Sequence, residues 1–530
     1  MSGALACTRP LLKVTLRHEI RGFAPWIAIA TGLSASSVLV YPWIFPEAAD
    51  RAGLSAAMSA NPAIGMVFGP AFDLMSDEGF NAWRSLALAG FLTALGSILT
   101  VTRTTRGQED SGQAELLASG VLGRASRLLA GVGVALVGSV LVGVIAGLVT
   151  VQCGGAWEPS MLLAATFTAS GWMFAAIAAV TAQLGSDARV ASSLAVATLG
   201  ALFALRGFAY AIDAPAWTIW INPLGWMTET RPASGDHWWP LMLAAALTVV
   251  ALAVAFAIQA RRDFGQGIIA SRPGPAEGRV RSPLGLALRI NRPPLISWAI
   301  AFAALGVVFG YFATSVQDLL AGDSAVAGIL ASGAATSDGL TSAFLVTILS
   351  LVGIIAAVPG VQAMQKLRAE EMADRVDPVL AGAVSRRRLF AGSASIALLA
   401  PSVYVLGAGT IVAALAAGTD IGVTFGGVLL QAAATVPAVW TTVAVAIAVI
   451  GARPQVSVAA WAGVMLAFVL TLLGPTFKLW DWVLAISPFW HVPTMTQADP
   501  DGWGLAWITL VTAALVAAGF AGFRRRDIGV

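Results

Sequence analysis

The sequence is poor in charge: Asp, Glu, Lys and Arg together make up 11% of its 530 residues, against about a quarter in an average soluble chain. That scarcity excludes a water-solvated globular domain. Only two cysteines are present, Cys7 and Cys153, too far apart for any metal spacing, so neither a disulfide framework nor a zinc site is indicated. Histidine occurs three times, at His18, His237 and His491. Lysine is scarcer than arginine, 3 against 28, a bias that a GC-rich coding sequence explains without appeal to function. No GxxxxGK[ST] loop is present to cradle a nucleotide phosphate, and no Ser-His-Asp set, paired-carboxylate site or cysteine nucleophile is visible.

What fills the chain instead is apolar: 58% of residues are hydrophobic and mean hydropathy is +0.81. A membrane span takes about 20 mostly apolar residues, and its backbone must be hydrogen-bonded internally, which makes helices the default. Twelve spans are expected, at Pro25–Phe45, Ser85–Val101, Leu128–Val151, Met161–Leu184, Val190–Ile212, Trp239–Ala260, Leu295–Val316, Leu340–Met364, Leu389–Ala417, Ile421–Gly451, Val456–Leu473 and Trp503–Phe523. The fold class is therefore all-α integral membrane protein. Alternate loops and the two termini hold 26 of the 31 Lys and Arg; positively charged loops stay inside, so both termini are expected in the cytoplasm. The basic leader invites comparison with a cleavable signal peptide. Its length and its pattern favour an interfacial helix instead, with Leu12, Leu16, Ile20 and Phe23 on one face beside Lys13, Arg17 and Arg21.

The chain repeats itself. At a spacing of 262, "RGQEDSGQAELLASGVLGR" overlies "RAEEMADRVDPVLAGAVSR". Arg106 meets Arg368, Glu109 meets Glu371, Glu115 meets Asp377, Gly120 meets Gly382 and Arg124 meets Arg386. "RRDFG" at Arg261–Gly265 returns as "RRDIG" at Arg525–Gly529, and "WTIWINPLGW" is echoed by "WVLAISPFWH", pairing Trp217 with Trp482 and Pro223 with Pro488. Residues 1–264 and 286–530 thus form two six-span halves in parallel orientation, joined by the Gly- and Pro-rich linker 265–285. A charged island follows the second span of each half. A body doubled in this way suits a partner that is itself a two-fold dimer.

No Asp, Glu or His falls clearly within an expected span, which disfavours a proton-driven carrier, since such carriers place an ionisable relay at membrane depth. Arg206 is the one strong charge placed well inside. It reads as lining the path or as snorkelling to the outer interface. Ten of the 18 tryptophans lie between Trp217 and Trp239 or between Trp480 and Trp507. They make either an aromatic belt or short re-entrant helices over a central path, with Pro223 and Pro488 at the breaks.

The island, with its R-x-x-E…E-L-L-x-x-G-x-x-x-R pattern, resembles that of the permeases of type-two ABC exporters. The duplicated length is similar to that of actinobacterial permeases exporting polyketide antibiotics such as tetronasin. The second copy departs from the pattern at Pro378. The resemblance implies that the island is a coupling helix docked on a separate ATPase. Arg106, Glu109, Asp110, Glu115, Arg368, Glu371 and Asp377 would face two copies of that ATPase, and Gly120 and Gly382 would end the helix in a left-handed conformation. The alternative is a solvated loop whose arginines only fix topology. ATP and magnesium would be held by the partner and no cofactor by this chain. The expected setting is the bacterial plasma membrane, the cargo a hydrophobic or amphipathic small molecule, and nothing points to nucleic acid. An ion-coupled secondary carrier of twelve spans is the competing function, and an enzyme acting on lipid-linked substrates a third.

Overall fold

A computed structural model describes residues 6–60, 62–118, 122–123, 125–212, 214–263, 265–269, 278, 280, 282–314, 337–382, 384–418, 423–473, 480–495, 500 and 502–527. Twelve helices long and apolar enough to cross a membrane are found among them, and the described elements are helical. Backbone contacts divide the chain into two units, Met1–Gly274 and Pro275–Val530, each with its own hydrophobic core.

In the first unit the interfacial helix α1 (Thr8–Glu19) passes through a 3-10 turn into the first span, α2 (Ala24–Ile44). Leu12 and Leu16 lie against the core and Phe23 is fully buried, while Lys13, Arg17 and Arg21 are exposed. Two helices that periodicity did not reveal, α3 (Ala48–Ala60) and α4 (Pro62–Phe68), fill the connection to the second span, α5 (Asp77–Thr102). The charged island gives a π turn at Arg103–Gly107, then α6 (Gln108–Asp110) and α7 (Gln113–Ala118). Spans α8 (Ser126–Gln152), α9 (Trp157–Leu184) and α10 (Ala188–Ala211) follow. Short helices α11 (Ala216–Ile221) and α12 (Pro223–Thr228) lead to the sixth span, α13 (Pro240–Arg261).

Among the described residues the second unit repeats the order of the spans. Its interfacial arm and first span are one helix, α14 (Pro283–Thr314), which runs through Pro293 and Pro294. Then come α15 (Ser337–Met372), α16 (Asp377–Ala381), α17 (Arg386–Ala416) and α18 (Phe425–Ala452). The fifth span is assembled from a 3-10 segment Pro454–Trp461, α19 (Ala462–Phe468) and a π turn Val469–Leu473. A four-residue α20 (Asp481–Leu484), a 3-10 turn Pro488–His491 and the last span α21 (Trp503–Arg525) complete it.

Side-chain caps explain where several spans begin. Ser76 accepts from Gly79 N at 3.1 Å, Asp187 from Val190 N at 2.9 Å and Thr424 from Gly427 N at 3.1 Å, each satisfying an amide that the helix leaves without a partner. The Ser76 cap starts α5 eight residues ahead of the expected Ser85. Arg84 therefore sits within that helix, donating to Ser37 Oγ at 3.2 Å, and Arg206 is not the sole arginine inside a spanning helix.

Between spans the packing rests on small residues and hydroxyls rather than on bulk. Ser97 and Ser139 share a hydrogen bond of 2.9 Å, Asn81 joins Ser34 and Ser85 at 3.0 and 2.8 Å, and Thr441 meets Thr512 at 2.8 Å. Lipid tails are as apolar as leucine, so helices in a membrane gain most from close approach and from such bonds. Gly143 of α8 lies directly on the backbone of Ala164 in α9, where an added Cβ would collide with the Ala164 carbonyl oxygen and the Thr168 hydroxyl. Gly407 of α17 has no atom near the place of its missing Cβ. Gly143→Ala is expected to cost about 1–3 kcal/mol through overpacking. Gly407→Ala should stabilise by up to about 1 kcal/mol through helix propensity. Thermal unfolding of the two variants in detergent should therefore shift in opposite directions.

Candidate functional site: a buried carboxylate clasp in each half

The charged island folds inward at its start. Arg106 is one of the most deeply buried side chains of the protein, 1% exposed. Its Nε donates to the carbonyl of Ala182 at 2.7 Å, Nη1 to Glu109 Oε2 at 2.7 Å and Nη2 to the carbonyl of Gln266 at 2.9 Å. The other oxygen of Glu109 accepts from Arg127 Nη2 at 2.6 Å and from Arg262 Nη2 at 2.8 Å. Glu109 and Arg106 together join the end of α5, the start of α8, the end of α9 and the end of α13. Arg106 and Glu109, three residues apart in sequence and so about one helical turn apart, are both aimed into the bundle where the π turn at Arg103–Gly107 ends.

The second half builds the same device from the same repeated residues. Glu371, whose side chain is fully buried, accepts from Arg368 Nη1 at 3.1 Å and receives Arg526 Nη2 on both oxygens, at 2.6 and 2.9 Å. Arg526 also donates through Nε to the carbonyl of Gly451 at 3.1 Å, and its guanidinium lies 4.8 Å from the ring centre of Phe523. Arg386 Nη1 donates to the carbonyl of Arg526 at 2.9 Å. Arg262 and Arg526 are the second arginines of the repeated "RRD" motifs, so the two repeated motifs of each half are the two sides of one clasp.

Arg106, Glu109 and Glu371 therefore do not face outward in this structure, as the sequence reading expected of them. An arginine and a glutamate one turn apart satisfy each other once burial removes water, and the neighbouring span ends supply the remaining partners. The outward-facing residues are those just beyond. Asp110 is exposed and accepts from the backbone amide of Ala188 at 2.7 Å, at the start of α10. Gly112 and Asp374, one repeat apart, both adopt the left-handed backbone, φ 74° and 54°, which glycine and aspartate tolerate better than most residues. That residue turns the chain into the exposed helices α7, with Glu115 in its first turn, and α16, with Asp377 in its first turn. Pro378 sits in the opening turn of α16, where its missing amide costs nothing. Gly382 does end α16, but in an extended conformation with φ −84° rather than the expected left-handed one, because the left-handed turn comes earlier, at Asp374. Gly120 and Arg124 lie outside the described residues.

The opposite ends of the spans hold the remaining candidates. Asn222 and Ser487, again one repeat apart, each break a short helical segment and cap the next, accepting from Leu224 N at 3.0 Å and from Phe489 N at 3.3 Å. Pro223 and Pro488 open the second arms, so the two-armed break is present in both halves. Trp217 and Trp482 are 63% and 67% exposed on the first arms, as residues of an interfacial aromatic belt would be. Arg206 neither snorkels nor stands free. It is buried against the ring of Phe203, donates to the carbonyl of Val67 at 2.7 Å and reaches Thr228 Oγ1 at 3.5 Å. Beside it Gly207 lies on the backbone of Met66, so Arg206 fastens α4 to α10. Gln431 gave no sequence signal, yet it is buried and ties the segment after Pro488 by bonds to the Pro493 carbonyl, 3.0 Å, and the Met495 amide, 2.7 Å.

Adjacent carboxylates give a stringent test of the clasp. Glu370 pairs with Lys366 and Arg375 at the surface, both at 3.1 Å, an arrangement that contributes less than about 1 kcal/mol. Glu371→Gln leaves buried arginines uncompensated and is expected to cost about 3–5 kcal/mol. Glu370→Gln should be close to neutral, and thermal unfolding of the two variants measures the contrast.

The family model described as the C-terminal domain of the multidrug efflux system permease Rv1217c matches residues 38–258 and 280–524, one stretch in each half. The multidrug efflux system permease protein Rv1217c of Mycobacterium tuberculosis is 34% identical over 534 aligned positions, covering 98% of this chain and 95% of that protein. Full-length similarity of this degree, on a chain of twelve apolar helices, establishes that the protein belongs to the Rv1217c family of multidrug efflux permeases.

Proposed function

We propose that the chain is the transmembrane permease of an ATP-driven exporter, moving hydrophobic or amphipathic compounds, polyketide-class antibiotics among them, out of a bacterial cell across its plasma membrane. In this reading both termini and both clasps are cytoplasmic, and two copies of a separate ATPase bind the exposed helices α7 and α16. Hydrolysis, with its ATP and magnesium, belongs to that partner; this chain contributes the path and the mechanical link.

The observation that carries the reading is the same construction in both halves: an exposed, polar short helix set by a left-handed turn onto a buried carboxylate clasp. The exposed helix offers Glu115 and Leu116 in one half and Asp377 in the other, beside Asp110, Met372 and Arg375. Mixed charge with an apolar side chain allows directed, charge-assisted contact with a partner. The clasp behind each helix connects it to span ends on three sides, so a displacement of the helix is passed to the spans instead of being absorbed by a slack loop. Efflux of drugs is supported by the likeness to the multidrug efflux system permease of Mycobacterium tuberculosis.

Glu115→Arg combined with Asp377→Arg leaves both clasps intact. Retention of the co-expressed ATPase during purification should fall at least about tenfold, the effect of about 1.4 kcal/mol, and permease-stimulated ATP hydrolysis should fall with it while thermal unfolding stays unchanged. Full retention and full hydrolysis in the double variant would argue against docking at these helices. Drug efflux in vesicles that runs on an ion gradient without any ATPase would argue against the energy source.

A further inference from the structure

The interfacial arm of the second half bounds a groove that the coupling account does not use. Helices α14 and α17 touch where Gly392 lies on the backbone of Pro283 and again where Gly306 lies on Ala408. Between those contacts, where Pro293 and Pro294 interrupt the hydrogen bonding of α14, they bound an open groove of about 950 Å³. Pockets that take small ligands range over about 300–1,000 Å³. Leu288 and Ile296 of α14 and Leu399 and Val403 of α17 line it with exposed apolar side chains, and Tyr404, donating to the carbonyl of Leu295 at 2.8 Å, forms part of its wall.

Arg289 and Arg292 line the same groove. They stand three residues apart, hence on one helical face, at the end of the arm just before the two prolines. Both are exposed, and neither forms an ion pair among the described residues. The acidic groups nearby are already engaged: Glu370 with Lys366 and Arg375, Glu371 in the clasp. Two guanidinium groups with no acidic partner among the described residues, beside an apolar groove and on the arm that leads into a membrane span, match an anionic head attached to acyl chains.

We propose that this groove is a binding site for an anionic phospholipid, its phosphate held by Arg289 and Arg292 and an acyl chain laid along Leu288, Ile296, Leu399 and Val403. The lipid seals the gap between the interfacial arm and α17. Because the other side of that arm, through Leu286, Ala287 and Ile290, lines a second small cavity shared with Val376 and Val379 of the coupling loop, lipid occupancy sets the footing of that loop.

The test is native mass spectrometry of the full chain in detergent, titrated with phosphatidylglycerol or with phosphatidylcholine of the same acyl chains. Phosphatidylglycerol should bind more tightly. Arg289→Ala with Arg292→Ala should weaken it roughly 30-fold, each arginine contributing about fivefold, without changing phosphatidylcholine binding, whereas Arg289→Lys with Arg292→Lys retains the preference. Leu399→Trp, which narrows the groove and keeps both arginines, should weaken retention of the lipid. Equal binding of the two lipids, an unchanged affinity in the alanine pair or in Leu399→Trp, or displacement by soluble glycerol phosphate at the same concentration as the lipid would overturn the proposal, the last by assigning the site to a free phosphate. No ATPase is needed, so the outcome is independent of the proposed coupling.

Discussion

A carboxylate shut away from water among arginines is the constraint on which the rest of each half depends. Removing an ion from water costs several kcal/mol even after relaxation, and the cost is offset only where the geometry is complete. Glu109 has three arginines on its two oxygens, and Arg106 spends its remaining donors on the carbonyls of Ala182 and Gln266. Losing any one span end from this arrangement leaves a buried charge without compensation. The ends of α5, α9 and α13 and the start of α8 therefore behave as one body, and the exposed helix α7 is mounted on it through the few residues between Asp110 and Gln113. The clasp gives the efflux permease a stiff connection between a polar knob and several spans at once.

The halves agree closely at this end and differ more in detail elsewhere. Glu371 keeps two of the arginines but has one nitrogen of Arg526, Nη2, on both of its oxygens, so both oxygens are satisfied with fewer partners. The left-handed turn survives the exchange of glycine for aspartate, and the short helix survives the exchange of leucine for proline, because both substitutions fall where the backbone accepts them. Away from the clasp the constraint is relaxed. In the first half Arg206 holds α4, and the hydroxyl of Tyr41 donates to the Leu74 carbonyl in the segment that follows it; the second half builds its fifth span from 3-10, α and π pieces and anchors its far loop through Gln431.

The sequence made the spans legible, because twenty apolar residues in a row admit one solution in a bilayer. It also made the repeated motifs legible, and their residues are those of the clasp. What it did not disclose was direction. Arg106 and Glu109 look like surface residues in a list, since charge is usually solvated; only tertiary structure brings Arg262 to them, and the signal available beforehand was that "RRD" and the island recur together in the same order. The helix α3 was missed because alanine dominates it, and α4 because seven residues are too few to show a helical period. Arg84 was misplaced because a polar cap at Ser76 lengthened α5 beyond its apolar stretch. Gln431 carries no pattern at all: a lone buried amide is intelligible only once Pro493 and Met495 are seen beside it.

Hydrogen exchange of the Glu109→Gln variant against the unaltered chain measures the central claim most directly. If the carboxylate holds the loop and the span ends as one body, amides in 103–118 and in 262–269 lose protection together while those in the middle of α8 do not change. Exchange in 103–118 that stays at the level of the unaltered chain would contradict the account, because the loop would then be held by something other than the buried clasp.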